Sequence, residues 1–228
     1  KRYEPWWWFV PVLAGGMLPW LFNLLDALWR AWKLDGAGRA RFKPARFLLI
    51  WSVFIFVFFS VSSSKLPSYI LPIFPALALL IGLRLTQIPA RVQFWMMAPV
   101  LLAAGAFLVL TRYTENFAAA EELEYYRHYA LWLTAAALLW LAGLLLGLYL
   151  LRRSRVRAAI LTVALSALLF AQLVISGHES LAPLNSTWHF AQQIKPHLRP
   201  DAPFYSVGIY DQTLPFYLGR PTPPVAYR

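Results

Sequence analysis

Apolar residues in this chain occur in long runs rather than in short alternating stretches. A helix that crosses a membrane needs about 20 mainly apolar residues. Six segments approach that length, and they cover residues 6–28, 47–61, 68–83, 94–110, 130–151 and 158–175. The pattern predicts an α-helical integral membrane protein with about six transmembrane helices, which together form a membrane domain over residues 1–176.

The second and third segments are separated by a short polar stretch, Ser62-Ser63-Ser64-Lys65-Leu66-Pro67. One long helix over residues 47–83 is the alternative interpretation. Three serines, a lysine and a proline are signals of a chain break, so a tight re-entry into the membrane is favoured.

Residues 177–228 differ in pattern from the rest of the chain. A helix is predicted over residues 187–198, with Phe190, Ile194 and Leu198 on one face. An alternating strand over 204–210, a short helix over 211–218 and a second strand near Pro224 follow. This order predicts the start of a small α/β domain. We expect that domain to be truncated, and both ends of the chain to be cut from a longer protein.

Composition supports the membrane assignment. The chain is 60% hydrophobic and 14% charged, with 11 Trp and no Cys. Its net charge of +11 comes from basic clusters between apolar runs, which favours membrane orientation over nucleic-acid binding. Twelve basic residues fall in the loops 29–46, 84–93 and 152–157, against three in the loops 62–67 and 111–129. The positive-inside rule then predicts that the first set is cytoplasmic and that both chain ends are periplasmic.

Lys65 and Tyr69 are the sharpest candidates for chemistry. They are four residues apart, so on one helix they would face the same way at the outer membrane surface. An ammonium and a hydroxyl there would suit a lipid phosphate. The alternative is a snorkelling lysine and a tyrosine anchored at the interface, both of which are common.

Three separated strings resemble one family in the same order. SSSKLPSYILPIFPALALL resembles the hallmark of the bacterial GT-C glycosyltransferases, and specifically of the ArnT-like aminoarabinose transferases of the protein-mannosyltransferase clan. RYEPWWWFVPVLAGGMLPW resembles the segment before it, and YSVGIYDQTLPFYLGRPTPPVAYR resembles part of the family's C-terminal periplasmic domain. Together the strings span nearly the whole chain.

The resemblance implies a multi-pass enzyme of the bacterial inner membrane. Such enzymes move a sugar from an undecaprenyl phosphate carrier to a periplasmic acceptor, which is a lipid A phosphate in the ArnT-like members. Their key carboxylate lies in a first periplasmic loop with no match here, so we assign no catalytic residue. Lys65, Tyr69 and, more weakly, Arg2 remain as ligands of the carrier phosphate. No organic cofactor is expected, and a divalent metal ion is left open.

The four histidines do not predict a metal site. Their spacings match no standard zinc pattern, so surface or interface positions are the favoured interpretation. His178-Glu179, just after the sixth segment, is the pair that merits attention first.

Two other functions remain open from sequence. A transporter is disfavoured because the centres of the apolar segments are almost free of ionisable groups, which transporters usually place at mid-membrane. A non-catalytic membrane subunit or acceptor-binding module stays open.

Overall fold

The computed structural model describes residues 4–34, 42–199, 203–207 and 213–225. They form two compact units that are interleaved along the chain. Unit 1 comprises residues 1–107 and 137–170, and unit 2 comprises residues 108–136 and 171–228. Because these are packing units, they do not test the predicted domain boundary at residue 176, which stays a prediction.

The structure is mostly helical. Its α-helices, numbered α1 to α11, are Phe9–Gly16, Leu21–Leu34, Pro44–Val61, Ile73–Leu85, Ala90–Met97, Val100–Leu110, Leu123–Arg152, Val156–His178, Ala182–Asn185, Trp188–Ile194 and Leu214–Leu218. Short 3-10 helices lie at Pro67–Ile70, Thr111–Phe117, Glu179–Leu181 and Lys195–His197.

Four helical stretches are long and apolar enough to cross a membrane. They are Pro44–Val61, Ala90–Phe117, Leu123–Arg152 and Val156–Leu184. α1 and α2 meet at an angle of 112°. If this bent pair counts as one broken span, the number of candidate spans rises to five. The chain is therefore a multi-pass membrane protein, as predicted.

The predicted number of six spans is not confirmed. The third predicted span is represented by α4, which has 13 residues. At 1.5 Å per residue such a helix is roughly 20 Å long, which is less than the apolar thickness of a bilayer, about 30 Å. Pro67 and Pro72 explain why α4 is shorter than the predicted span. The residues before α4 form a 3-10 turn and do not extend the α-helix.

Unit 1 contains two apolar cores. The first lies among α1 to α4 and includes Phe9, Ala27, Ile70 and Leu80, all of them fully buried. The second joins α5 and α6 to the paired helices α7 and α8. Large apolar side chains such as Phe54 and Leu168 remain exposed. An apolar exterior of this kind suits a lipid environment, since lipid is as apolar as these side chains.

Small residues let α7 and α8 approach closely. A Cβ atom added at Gly143 would lie 2.2 Å from the Ser166 side chain, and one added at Gly147 would lie 2.4 Å from that of Val163. Both positions therefore require glycine for this helix pairing.

Unit 2 contains the C-terminal elements in the predicted order of helix, strand, helix and strand. α10 is followed by β1 (Ser206–Val207), α11 and β2 (Pro224–Val225), and the two strands pair in parallel. Gly219 ends α11 with φ of 67°, which is a left-handed conformation that favours glycine. α10 ends at Ile194, before the predicted end at 198, because Pro196 cannot continue an α-helix. The larger α/β domain that these elements would begin stays a proposal.

Candidate functional site

The chain break after α3 builds the candidate site. α3 ends at Val61, and Ser62 leaves the helix with ψ of 140°. Lys65 and Leu66 then lead into the 3-10 helix Pro67–Ile70. The break that the serines and proline predicted is confirmed, and the single long helix over 47–83 is excluded.

Lys65 is buried at this break, with 5% of its surface exposed. Its Nζ donates hydrogen bonds to the backbone carbonyls of Ser62, at 2.7 Å, and Glu4, at 3.0 Å. It has no salt bridge to a carboxylate within the described ranges. A buried ammonium that has only carbonyl partners is poorly compensated, and an anion would improve its environment.

A cavity of about 610 Å³ adjoins this lysine. Its apolar walls include Trp6, Phe56 and Val57, and its polar lining includes serines and the acidic residue Glu4. One of these serines, Ser60, is 7% exposed, and its Oγ has no hydrogen-bond partner among the described residues. The cavity therefore combines a buried cation, an unsatisfied hydroxyl and apolar surface, which suits an amphipathic anion.

Tyr69 does not join Lys65 in this cavity lining. Lys65 lies outside any helix and Tyr69 lies within the 3-10 turn, so the helical i, i+4 relation that first linked them does not hold. The Tyr69 ring instead packs near Phe59, with 5.5 Å between ring centroids. Its backbone N–H donates to the Leu66 carbonyl at 3.0 Å and is not free for a phosphate. Arg2, the third predicted ligand, lies outside the described residues.

Further polar contacts of unit 1 involve Asn23 and Asp26, which the sequence did not identify as site residues. Asn23 is fully buried and donates to Gln93 Oε1 at 2.8 Å. Asp26 accepts hydrogen bonds from Arg30 at 2.8 Å and from Arg84. The contacts to Arg84 and Gln93 cannot be read from the sequence, because these partners are 58 and 70 residues away from Asp26 and Asn23.

Unit 2 has a polar cavity of its own, of about 600 Å³. Glu179, Ser186 and Tyr217 are among its lining residues, and Ser186 Oγ donates to the Tyr217 hydroxyl at 3.2 Å. His178 packs edge-on against Tyr129, with 5.9 Å between ring centroids. His178 therefore contacts an aromatic ring, whereas Glu179 lines the cavity, so the two residues do not share one site. Over the described ranges, no three His, Asp or Glu residues are grouped as metal ligands.

Comparisons with known proteins converge on one family. The family described as "Aminoarabinose transferase C-terminal domain" matches residues 190–228. An undecaprenyl phosphate-alpha-4-amino-4-deoxy-L-arabinose arabinosyl transferase of Enterobacter sp. (strain 638) is 32% identical over 162 residues, which are 69% of this chain and 28% of that protein. A relative of the same description from Sodalis glossinidius is 49% identical over 82 residues, covering 36% of this chain and 14% of that protein.

Solved structures give the same result over a longer stretch. ArnT from Cupriavidus metallidurans bound to undecaprenyl phosphate matches with a TM-score of 0.83 and 34% identity. The match covers 98% of this chain and 40% of that one. The apo structure of the same protein matches with the same TM-score and 35% identity. This chain therefore spans well under half the length of its relatives, and the predicted resemblance to the C-terminal part of ArnT-like GT-C glycosyltransferases is confirmed.

Proposed function

We propose that this chain, as the C-terminal part of an ArnT-like GT-C glycosyltransferase, helps to move a sugar from an undecaprenyl phosphate carrier to an acceptor at the periplasmic membrane face. In the specific form of the proposal, the sugar is aminoarabinose and the acceptor is a lipid A phosphate. The observation that carries it is the match, over 98% of this chain, to a structure bound to undecaprenyl phosphate. The protein would be a multi-pass protein of the bacterial inner membrane with residues 177–228 in the periplasm.

Lys65 is the proposed ligand of the carrier phosphate. A lysine ammonium has three N–H donors, and two of those on Lys65 have carbonyl acceptors within the described chain. The third donor is available to a phosphate oxygen. Burial makes this contact strong, because the attraction between opposite charges grows as the surrounding water is removed. The unsatisfied hydroxyl of Ser60 offers a second donor in the same cavity.

The apolar part of the carrier has a matching surface on α3. A groove of about 570 Å³ runs along this helix, and Val57 lines both the groove and the Lys65 cavity. The other groove residues are Leu49, Ile50, Val53, Phe54 and Phe58. A polyprenyl chain lying along this face would place its phosphate beside Lys65, which is the arrangement that a lipid-linked donor requires.

The same contact would assist the chemical step. When the bond between the anomeric carbon and the carrier phosphate oxygen breaks, negative charge develops on the departing phosphate. A positioned ammonium stabilises that charge more in the transition state than in the ground state, which raises the rate. The attacking atom is an acceptor oxygen, and we assign no general base to the described residues.

Lys65→Ala in the complete enzyme tests the proposal. A charge-assisted hydrogen bond contributes about 1.5–3 kcal/mol, so carrier-lipid affinity should fall roughly 10- to 150-fold, and transfer should fall with it. Lys65→Arg should retain part of the activity, since the charge remains but its shape differs. Tyr69→Phe should do less harm than Lys65→Ala, because the aromatic ring stays packed near Phe59. Transfer to acceptor and carrier-lipid affinity are measured separately.

A folding control makes the result interpretable. Lys65 donates hydrogen bonds to two backbone carbonyls, so its loss could also disturb folding. The activity of the alanine variant is therefore interpreted only if the protein inserts into the membrane and its melting temperature stays within a few degrees of the wild-type value. Near-normal transfer and affinity in a folded Lys65→Ala variant would leave this lysine as an interface anchor.

A further inference from the structure

A second basic cavity of unit 1 lies where candidate membrane spans end. It has a volume of about 400 Å³, and its lining includes Arg91, Phe94, Trp95, Arg152 and Ser154. One candidate span begins at Ala90, one ends at Arg152 and one begins at Val156. The cavity is therefore at the depth where the chain enters and leaves the apolar layer, which is the depth of lipid headgroups.

The positive charge of this cavity has no acidic partner among the residues that the structure describes. Arg91 and Arg152 line the cavity, and its described lining contains no acidic residue. Neither arginine takes part in the three salt bridges found in the described part of the chain. The Arg152 guanidinium lies 5.0 Å from the centre of the Phe94 ring, which holds it in place without neutralising it. Guanidinium groups bind phosphate oxygens in a bidentate manner, so this pair suits a phosphate.

A fixed turn places a hydroxyl beside the two arginines. Ser154 has φ of 57° and ends α7, with Arg155 N–H donating to the Leu150 carbonyl at 2.9 Å and Ser154 N–H to the Leu151 carbonyl at 2.9 Å. This is a Schellman motif, in which glycine is the usual left-handed residue. Serine is strained there, and such strain is often retained where the side chain has a function. Ser154 is one of the residues that line the cavity.

Trp95 indicates that the ligand of this cavity is a lipid rather than a free anion. This residue is 66% exposed and lines the cavity together with the two arginines. Exposed tryptophan is typical of the membrane interface, where its ring contacts the glycerol and upper acyl region. A free phosphate would gain nothing from this ring, whereas a phospholipid would contact it.

We propose that this cavity binds the phosphate headgroup of an anionic membrane phospholipid. Arg91 and Arg152 donate to the phosphate oxygens, the Ser154 hydroxyl adds a third donor, and Trp95 packs against the lipid beneath the headgroup. Basic cavities between membrane helices bind anionic headgroups in this way. The site is separate from the Lys65 cavity and does not depend on the proposed sugar transfer.

Native mass spectrometry of the complete protein tests this proposal. The delipidated protein is titrated with phosphatidylglycerol and, separately, with zwitterionic phosphatidylcholine. Phosphatidylglycerol should bind more tightly, and Arg91→Gln or Arg152→Gln should each weaken it about fivefold, the usual effect of one basic residue at an anionic membrane surface. Trp95→Ala should also weaken it. Phosphatidylcholine binding equal to that of phosphatidylglycerol would overturn the proposal.

Arg157→Gln is the matched control. Arg157 is an exposed arginine just beyond the same turn, but it does not line the cavity, so this variant removes the same charge and should keep wild-type affinity. An equal loss in Arg157→Gln would show a diffuse charge effect and overturn the site. Displacement of the lipid by an equal concentration of inorganic phosphate would identify a free anion as the occupant and would overturn it too.

Ser154→Gly separates a ligand contact from a structural role. Glycine adopts the left-handed conformation more easily, so the melting temperature should rise or stay unchanged. Lipid affinity should nevertheless fall about two- to fivefold, as expected for the loss of one hydrogen bond. Unchanged affinity would remove Ser154 from the site, and unchanged affinity in both arginine variants would overturn the proposal.

Discussion

The two basic cavities of unit 1 hold their charges in opposite ways. At the Lys65 cavity a single ammonium is 5% exposed and is fixed by two backbone carbonyls. At the cavity between Arg91 and Arg152, both arginines are exposed, and one of them rests on an aromatic ring. Anion binding at the Lys65 cavity would therefore depend on the burial of one charge, whereas binding at the Arg91 and Arg152 cavity would depend on having two charges.

The difference determines how each site should bind. Two unit charges 4 Å apart attract with about 4 kcal/mol at a partly buried site, but with about 1 kcal/mol in bulk water. One buried lysine can therefore match several exposed arginines in strength. It is also more selective, because a ligand must fit the cavity to reach it. The exposed arginines accept any anionic headgroup at the right depth.

The largest expected contrast is between the two sides of the membrane. The distribution of basic loops predicts that Ser63, beside Lys65, is periplasmic and that Ser154 is cytoplasmic. In intact cells, Ser63→Cys should be labelled by a membrane-impermeant thiol reagent and Ser154→Cys should be shielded. Both should be labelled after permeabilisation, which controls for reactivity. Labelling of Ser154→Cys in sealed cells would contradict the predicted orientation.

Raising the salt concentration should lower ligand affinity to different extents at the two cavities, which is a smaller contrast than the labelling one. Raising ionic strength from 0.1 to 1 M shortens the screening length from about 10 to 3 Å, and screening acts chiefly on exposed charges. Phosphatidylglycerol affinity at the Arg91 and Arg152 cavity should fall about tenfold. Carrier-lipid affinity at Lys65 should fall by about twofold or less, since burial limits screening. Equal losses in a binding titration at both salt concentrations would show that burial does not distinguish the sites.

The smallest effect should come from a hydroxyl in the Lys65 cavity. Ser60→Ala removes a buried hydroxyl that has no partner in the described part of the chain, so it should not lower the free energy of unfolding. It should weaken carrier-lipid binding about two- to tenfold if the hydroxyl donates to the ligand. Denaturation and lipid titration measure the two effects.

Ser52→Ala is the matched control for this prediction. Ser52 is buried on the same helix, but its hydroxyl already donates to the Leu48 carbonyl at 2.8 Å. We expect a small loss of stability and unchanged carrier affinity. A Ser60→Ala variant that binds the carrier like wild type would remove this hydroxyl from the proposed site.

Predictions from the sequence succeeded where neighbouring residues decide the structure. The break after Val61 followed from three serines, a lysine and a proline. The order of helix, strand, helix and strand after residue 187 followed from the spacing of apolar residues. Both features depend on local sterics and hydrogen bonding.

Predictions of the site were only partly useful. Lys65 was identified from its four-residue spacing to Tyr69 and from the family resemblance, and it lines a cavity in the structure. The pairing with Tyr69 assumed a continuous helix, and the chain is not helical at Lys65. Ser60 was missed, because nothing in the sequence shows that its hydroxyl lacks a partner.

The sequence by itself predicted a multi-pass membrane protein that resembles the ArnT-like transferases, and it showed where a chain break falls and which residues carry charge. Apolar run length, proline geometry and residue order are local properties, so they can be read from the chain. Only the tertiary structure decided that the Lys65 ammonium meets the Glu4 carbonyl, 61 residues away, and that Arg91 and Arg152 share a cavity. Such contacts depend on how helices pack, and packing is set by many distant side chains at once.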